Sequence, residues 1–173
     1  MAIALIVLAA GQGTRMNSDL PKVLHRLGGA PLLAHALAAG RRLDPERVVV
    51  VVGHGADLVE KAARKIEPEA GIALQAEQLG TGHAVAQALA QLPGFEGKVV
   101  VLYGDTPFIT AETLERLVEN PADVVVLGFE AADPGRYGRL IATGDRLERI
   151  VEYKDATAEE RAITLCNSGV ICC

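Results

Sequence analysis

The sequence predicts an α/β fold, with a doubly wound, mostly parallel sheet followed by a mixed or antiparallel region. Three observations carry the prediction. The runs Ile3 to Leu8, Arg47 to Val52 and Lys98 to Tyr103 are rich in Val, Ile and Leu and read as strands buried on both faces. Stretches of helical spacing separate them, and strand–helix units in series make parallel pairing the default. Half of the residues are hydrophobic while only 3% are aromatic and none is Trp, so the core is expected to consist of Val, Leu, Ile and Ala.

The elements follow in order. Ile3 to Leu8 is the first strand and runs into a glycine-rich turn. Pro31 to Leu43, with Leu32, Leu33, Ala36 and Leu37 on one face, is the first crossover helix. Arg47 to Val52 is the second strand, Gly53-His54-Gly55 its turn, and Ala56 to Ile66 a helix that stops before Pro68. Ile72 to Gln75 is a short third strand, and helical spacing resumes from His83 to Leu92. Lys98 to Tyr103 is the fourth strand, followed by a helix that Thr110 caps and Glu112 supports in its first turn. Beyond Asp123, Val124 to Phe129, Gly138 to Ala142 and Leu147 to Tyr153 look like strands without long helices between them. Thr157 to Ala162 is a short helix, and Asn167-Ser168-Gly169 reads as a turn before an apolar stub, Val170-Ile171, that needs a partner strand.

At 173 residues the chain is sized for one domain, able to bury about 70% of the surface its unfolded form exposes. A net charge of −5 argues against nucleic-acid or anionic-membrane partners, which select a basic face, so any phosphate must be held locally. Cys166, Cys172 and Cys173 are odd in number, crowded together and without zinc spacing, and are expected to be reduced thiols. No apolar segment approaches about 20 residues and no signal peptide is seen, so a cytoplasmic protein is expected.

Chemistry concentrates at Leu8-Ala9-Ala10-Gly11-Gln12-Gly13-Thr14-Arg15-Met16 and the nearby Pro21-Lys22. Glycines after a buried strand let backbone N–H groups approach an anion, and Arg15 and Lys22 add positive charge. The dinucleotide fingerprint fails because Met16 stands where its third small residue belongs, and the Walker A pattern is absent. If the strand order is 3-2-1-4, the loops at Gly11 and Asp105 meet at the switch point where α/β sheets bind ligands. That sets an anion cradle and two cations across from one carboxylate, as a Mg²⁺-bound triphosphate requires. Pro107 keeps Thr106 out of helix and Thr110 is the better cap, which favours Asp105 as a metal ligand over a turn former. In Gln75 to Ala84, a Gln amide and backbone groups beside glycines could complement uracil; the alternative is a polar loop before a helix capped by Thr81. His54 and His83 lack ligand spacing and are expected to make ordinary polar contacts.

The string Leu-Ala-Ala-Gly-x-Gly-Thr-Arg-Met, with Pro-Lys-Val-Leu-His at 21–25, resembles the opening signature of the sugar-phosphate nucleotidyltransferases. The likeness is strongest to the N-acetylglucosamine-1-phosphate uridyltransferase (pyrophosphorylase) domain of the bacterial bifunctional uridyltransferase/glucosamine-1-phosphate acetyltransferases. Gln75 to Ala84 is similar to that family's uracil-holding segment, and Tyr137-Gly138-Arg139, Val151 to Thr157 and Asn167-Ser168-Gly169 to its sugar-binding motifs. The resemblance implies a Rossmann-like fold of the nucleotide-diphospho-sugar transferase type and catalysis by Arg15 and Lys22. It implies nucleotide contacts from Leu8, Ala9, Ala10, Gly11, Gly13, Gln75, Gln78, Gly80, Thr81, Tyr103 and Gly104. It further implies sugar contacts from Gly138, Glu152 and Asn167, Mg²⁺ on Asp105, and UTP and N-acetylglucosamine 1-phosphate as substrates. Full-length members are trimers, so a homo-oligomer is expected. Tyr153 stands where the family more often has His, and Ser168 where Thr is common; neither change is expected to disturb the contacts. The family's second metal ligand, a later Asn, and its acetyltransferase half would lie past Cys173, so residues 1–173 are expected to be a nucleotidyltransferase domain from a longer protein. Two alternatives stay open: a relative with another base or acceptor, such as a molybdenum-cofactor guanylyltransferase or an isoprenoid cytidylyltransferase, which should lack the Gln75 to Ala84 block, and a non-catalytic nucleotide-sugar-binding protein.

Overall fold

The computed structural model describes residues 1–13 and 18–173. Strand β1 (Ile3–Ala9) is followed by a 3₁₀ turn at Lys22–Leu24, a small hairpin of β2 (Arg26–Leu27) and β3 (Ala30–Pro31), and helix α1 (Leu32–Arg41). Then come β4 (Arg47–Val52), α2 (Ala56–Ile66), β5 (Gly71–Leu74), α3 (Thr81–Leu89), β6 (Lys98–Tyr103) and α4 (Ala111–Glu119). The remainder is β7 (Val125–Glu130), β8 (Arg139–Thr143), β9 (Arg146–Val151), α5 (Ala158–Arg161) and β10 (Leu165–Cys172). Caps mark several ends: Thr110 Oγ1 accepts from Thr113 N at 3.2 Å, and Thr157 with Glu160 forms a capping box at α5. The Arg41 guanidinium at the end of α1 pairs with the buried Glu67 carboxylate beyond α2, and that hydrogen bonding holds Arg41 above its ordinary pKa.

The first half of the sheet is parallel, in the order β5-β4-β1-β6, as the 3-2-1-4 expectation requires. Along β1 the side chains alternate between two apolar layers. Leu5, Val7 and Ala9 join Leu33, Leu37, Val59 and Leu114 on the side of α1, α2 and α4, whereas Ala4, Ile6 and Leu8 join Ala84 and Ala88 of α3 on the other. A strand covered on both faces must be apolar throughout, which is why β1 reads as a continuous Ile/Val/Leu run.

Past β6 the sheet turns antiparallel and forks. The end of β10 pairs with β6 through Ile171 and Cys172, while its start pairs with β8 through Cys166 and Arg139, and β7 runs along the opposite edge of β10. Between the two branches the register shifts from Asn167 to Ile171. Asn167-Ser168-Gly169 is therefore a bulge inside a strand, not the turn its composition suggests, because pairing with β6 and β7 outweighs local turn chemistry. Nor is Val170-Ile171 an open apolar end: Val170 is fully buried and Ile171 pairs with Val101 on one side and Val126 on the other.

Candidate active site

The carboxyl ends of β1 and β6 and the start of α3 enclose a cleft of about 570 Å³. Of the residues singled out from the sequence, Leu8, Ala10, Gly11, Gly13, Lys22, Gln75, Gln78, Gly80, Thr81, Tyr103 and Asp105 line it. Val23 and Ala84, which belong to the 21–25 and 75–84 motifs but were not singled out as site residues, also line it as apolar wall. Arg15 lies outside the described residues. Ala9 does not line the cleft; it is buried in the core layer on the side of α1, α2 and α4. Gly104 does not line the cleft; its N–H donates to Leu8 O at 2.9 Å, and a Cβ there would sit 3.2 Å from both Leu8 O and Val23 Cγ1.

At the loop end of the cleft, Gly13 has φ +62°, and a Cβ on it would stand 2.7 Å from Lys22 Cβ. The absence of a Cβ thus lets the chain at Gly13 lie directly against the base of the Lys22 side chain. Lys22 Nζ meets Asp105 Oδ2 at 2.5 Å, with the two side chains 37% and 23% exposed. A cation from one loop and a carboxylate from the other face each other at the switch point.

At the far end, Gln75 follows β5 and is buried, and its amide nitrogen donates to Gly80 O at 3.0 Å. Gln78 reaches back across the cleft to donate to Ala10 O at 2.7 Å, tying the Gln75–Thr81 loop to the end of β1. Thr81 does not cap α3: Gly80 holds the cap position without a side-chain bond, and the Thr81 hydroxyl instead pairs with Tyr103 Oη at 3.0 Å.

The sugar-motif residues gather beside the fork. Asn167 N donates to Gly138 O at 2.8 Å, and a Cβ on Gly138 would stand 3.3 Å from Glu152 Oε1 and 3.7 Å from Asn167 Cβ. Asn167 Oδ1 accepts from Gly169 N at 2.9 Å, leaving its NH₂ to donate elsewhere. Arg139, only 1% exposed, frames this corner by donating to the carbonyls of Tyr137, Gly135 and Arg161. Tyr153 takes a place of its own there, with the Arg161 guanidinium 4.6 Å from its ring centre. The trio does not line the cleft itself, but Gly169 packs directly on the Tyr103 ring, which does.

Among the described residues no group of three or more His, Cys, Asp or Glu could hold a metal, and no helix is long and apolar enough to cross a membrane. A lone carboxylate suits Mg²⁺ that arrives on a substrate phosphate, since that ion is commonly held by one or two carboxylates plus phosphates and water.

The family model described as the MobA-like NTP transferase domain matches residues 5–165. The chain is 72% identical over 169 residues to bifunctional protein GlmU of Paracoccus denitrificans (strain Pd 1222), covering 98% of this chain and 38% of that protein. To bifunctional protein GlmU of Cereibacter sphaeroides (strain ATCC 17025 / ATH 2.4.3) it is 70% identical over 172 residues, again 98% of this chain and 38% of the relative. It thus spans about two fifths of the length of these relatives. A UDP-glucose pyrophosphorylase complexed with UDP-glucose shares the fold, with TM-score 0.77 at 20% identity over 99% of this chain and 76% of that one. The inositol-1-phosphate CTP transferase from T. maritima does so with TM-score 0.75 at 22% identity, over 98% and 69%. A Gly-x-Gly loop after a first buried strand, a parallel sheet in the order β5-β4-β1-β6 and a match over nearly the whole length lead to one assignment: the chain belongs to the MobA-like NTP transferase domain family.

Proposed function

We propose that this chain transfers UMP from UTP to N-acetylglucosamine 1-phosphate, giving UDP-N-acetylglucosamine and pyrophosphate, a supply step for cell-envelope precursors in the cytoplasm. The observation that carries the reading is the single cleft that has Gly11, Gly13, Lys22 and Asp105 at one end and Gln75 and Gly80 at the other. Identity of 72% to a bifunctional protein GlmU supports it, as does the resemblance of Gln75 to Ala84 to a uracil-holding segment.

In this reading a phosphate oxygen of the sugar phosphate attacks the α-phosphorus in line, the new P–O bond forms, and the bond to pyrophosphate breaks. The protein does little covalent work, so positioning and charge carry the catalysis. Backbone N–H groups at Gly11 and Gly13 cradle the triphosphate, and Lys22, with Arg15, meets the charge that grows on the α-phosphate and the leaving pyrophosphate. Mg²⁺ held by Asp105 would add charge neutralisation across the phosphates. Gln75 and Gly80 read the base, Gln78 and Thr81 close the loop over it, and Gly138, Glu152 and Asn167 take the sugar hydroxyls and amide. The functional unit is a homo-oligomer, without nucleic-acid or membrane partners.

The test is pyrophosphate release, with Mg²⁺ present, across the four nucleoside triphosphates and a panel of sugar 1-phosphates. Release is expected with UTP and N-acetylglucosamine 1-phosphate together and with neither alone. Turnover of GTP as fast as UTP would contradict the assignment.

A further inference from the structure

Arg139 opens β8 and is 1% exposed, yet no acidic side chain pairs with it among the described residues. Its Nε is buried without an acceptor, and its Nη atoms donate only to backbone carbonyls: Tyr137, Gly135 at 3.1 Å, Arg161 at 3.2 Å, and Pro134 at the 3.5 Å limit. Burying a guanidinium without a carboxylate is costly, and an apolar side chain of similar volume would fill the space at less cost. That cost directs attention to what the fork holds. Arg139 is also the register point of the sugar-motif corner. It pairs with Val151 in β9 and Cys166 in β10, the residues directly before Glu152 and Asn167, while Gly138 directly precedes it. Gly138, Glu152 and Asn167 therefore lie one residue from it in the same direction on three neighbouring strands. Among the described residues its side chain makes no hydrogen bond to any of the three.

Resting on the reading of that corner as a sugar site, we infer that Arg139 is a positioning residue for the sugar: its guanidinium fixes the two chain segments that carry Gly138 and Glu152. On the Gly138 side it folds the Pro134–Tyr137 turn back onto the start of β8, through the carbonyls that lead into Gly138. On the Glu152 side it holds Arg161 O at the end of α5, and Arg161 Nε donates in turn to Tyr153 O at 3.1 Å, next to Glu152. The Tyr153 ring joins the same cluster, its centre 4.6 Å from Arg161 Cζ and 6.0 Å from Arg139 Cζ. A planar fork can donate to both segments at once, whereas a lysine ammonium is a point donor on a flexible stem. Without the fork both segments loosen and the sugar contacts lose their geometry. Gly13, Gln75 and Gly80 belong to other elements and keep theirs.

Dissociation constants for UDP and for UDP-N-acetylglucosamine, measured calorimetrically on the unmodified protein, on Arg139→Met and on Arg139→Lys, test the inference. Arg139→Met is expected to weaken UDP-N-acetylglucosamine about tenfold and to leave UDP within about twofold. Arg139→Lys keeps the charge and a donor, so it is the milder change to the fold; the same split is expected there at about threefold. Partial unfolding would lower the number of binding sites for both ligands and leave the affinities of the folded fraction alone, so a merely structural role does not produce the split. Equal weakening of both ligands, or no weakening of either, would overturn the role of Arg139 while leaving the sugar reading intact. If UDP-N-acetylglucosamine left the Gly138 and Asn167 amide NMR signals of the unmodified protein unmoved, the sugar reading would fail and this inference with it.

Discussion

Lys22 and Asp105 hold opposite charges 2.5 Å apart in the lining of the cleft. Each is partly solvated, so the pair is worth little to stability, and its value is positional. A triphosphate entering between Gly13 and Asp105 offers Lys22 a second, more highly charged partner. Contacts that strengthen as charge builds in the transition state affect turnover more than binding. Lys22→Ala is therefore expected to lower kcat about a hundredfold while KM for UTP changes little. An unchanged kcat with a raised KM would make Lys22 a docking residue only. At this scale the sequence was informative where a motif marks the chemistry, as at Gly13, Lys22, Gln75 and Asp105, which share one cleft. His83, expected to make ordinary polar contacts, faces the amide nitrogens of Gln75 at 3.2 Å and Gln87 at 3.1 Å, a pairing across eight and four residues that motif spacing does not announce.

Among the elements, β10 joins the two halves of the molecule. Its bulge places Gly169, with φ +81°, flat against the Tyr103 ring at the end of β6, and Ser168 Oγ donates to Leu127 O at 2.7 Å to anchor the distortion in β7. Tyr103 in turn holds Thr81 at the start of α3, so one aromatic ring touches both the base loop and the sugar-motif strand. A Cβ on Gly169 would come within 1.8 Å of Tyr103 Cε2. Gly169→Ala is expected to destabilise the protein by about 3 kcal/mol, from the left-handed backbone and the clash together, measurable by urea denaturation. A change under about 0.5 kcal/mol would mean that the ring moves aside freely. The crossover strands and helices were readable because β4 and α2 have unambiguous spacing and ends. The β2–β3 hairpin escaped notice although Gly28-Gly29 is the sort of pair that turns two strands, because strands of two residues leave no period to detect.

For the whole molecule, the parallel order β5-β4-β1-β6 fixes which loops converge, and this much followed from right-handed crossovers alone. The forked second half did not follow, since β10 pairs with β6, β7 and β8, and those pairings link segments far apart in sequence that no local pattern announces. The fork is what puts Gly138, Glu152 and Asn167 in one corner, one ring away from the cleft. If the proposed function holds, one ligand, UDP-N-acetylglucosamine, spans cleft and corner. Backbone and side-chain amide shifts in an NMR titration test this most directly. Uridine monophosphate is expected to move the signals of Gln75, Gly80 and Gly13 alone, and UDP-N-acetylglucosamine to move those together with Gly138 and Asn167. If the nucleotide sugar left Gly138 and Asn167 unmoved, or shifted Gly138 and Asn167 without Gln75 and Gly80, the two regions would not form one site.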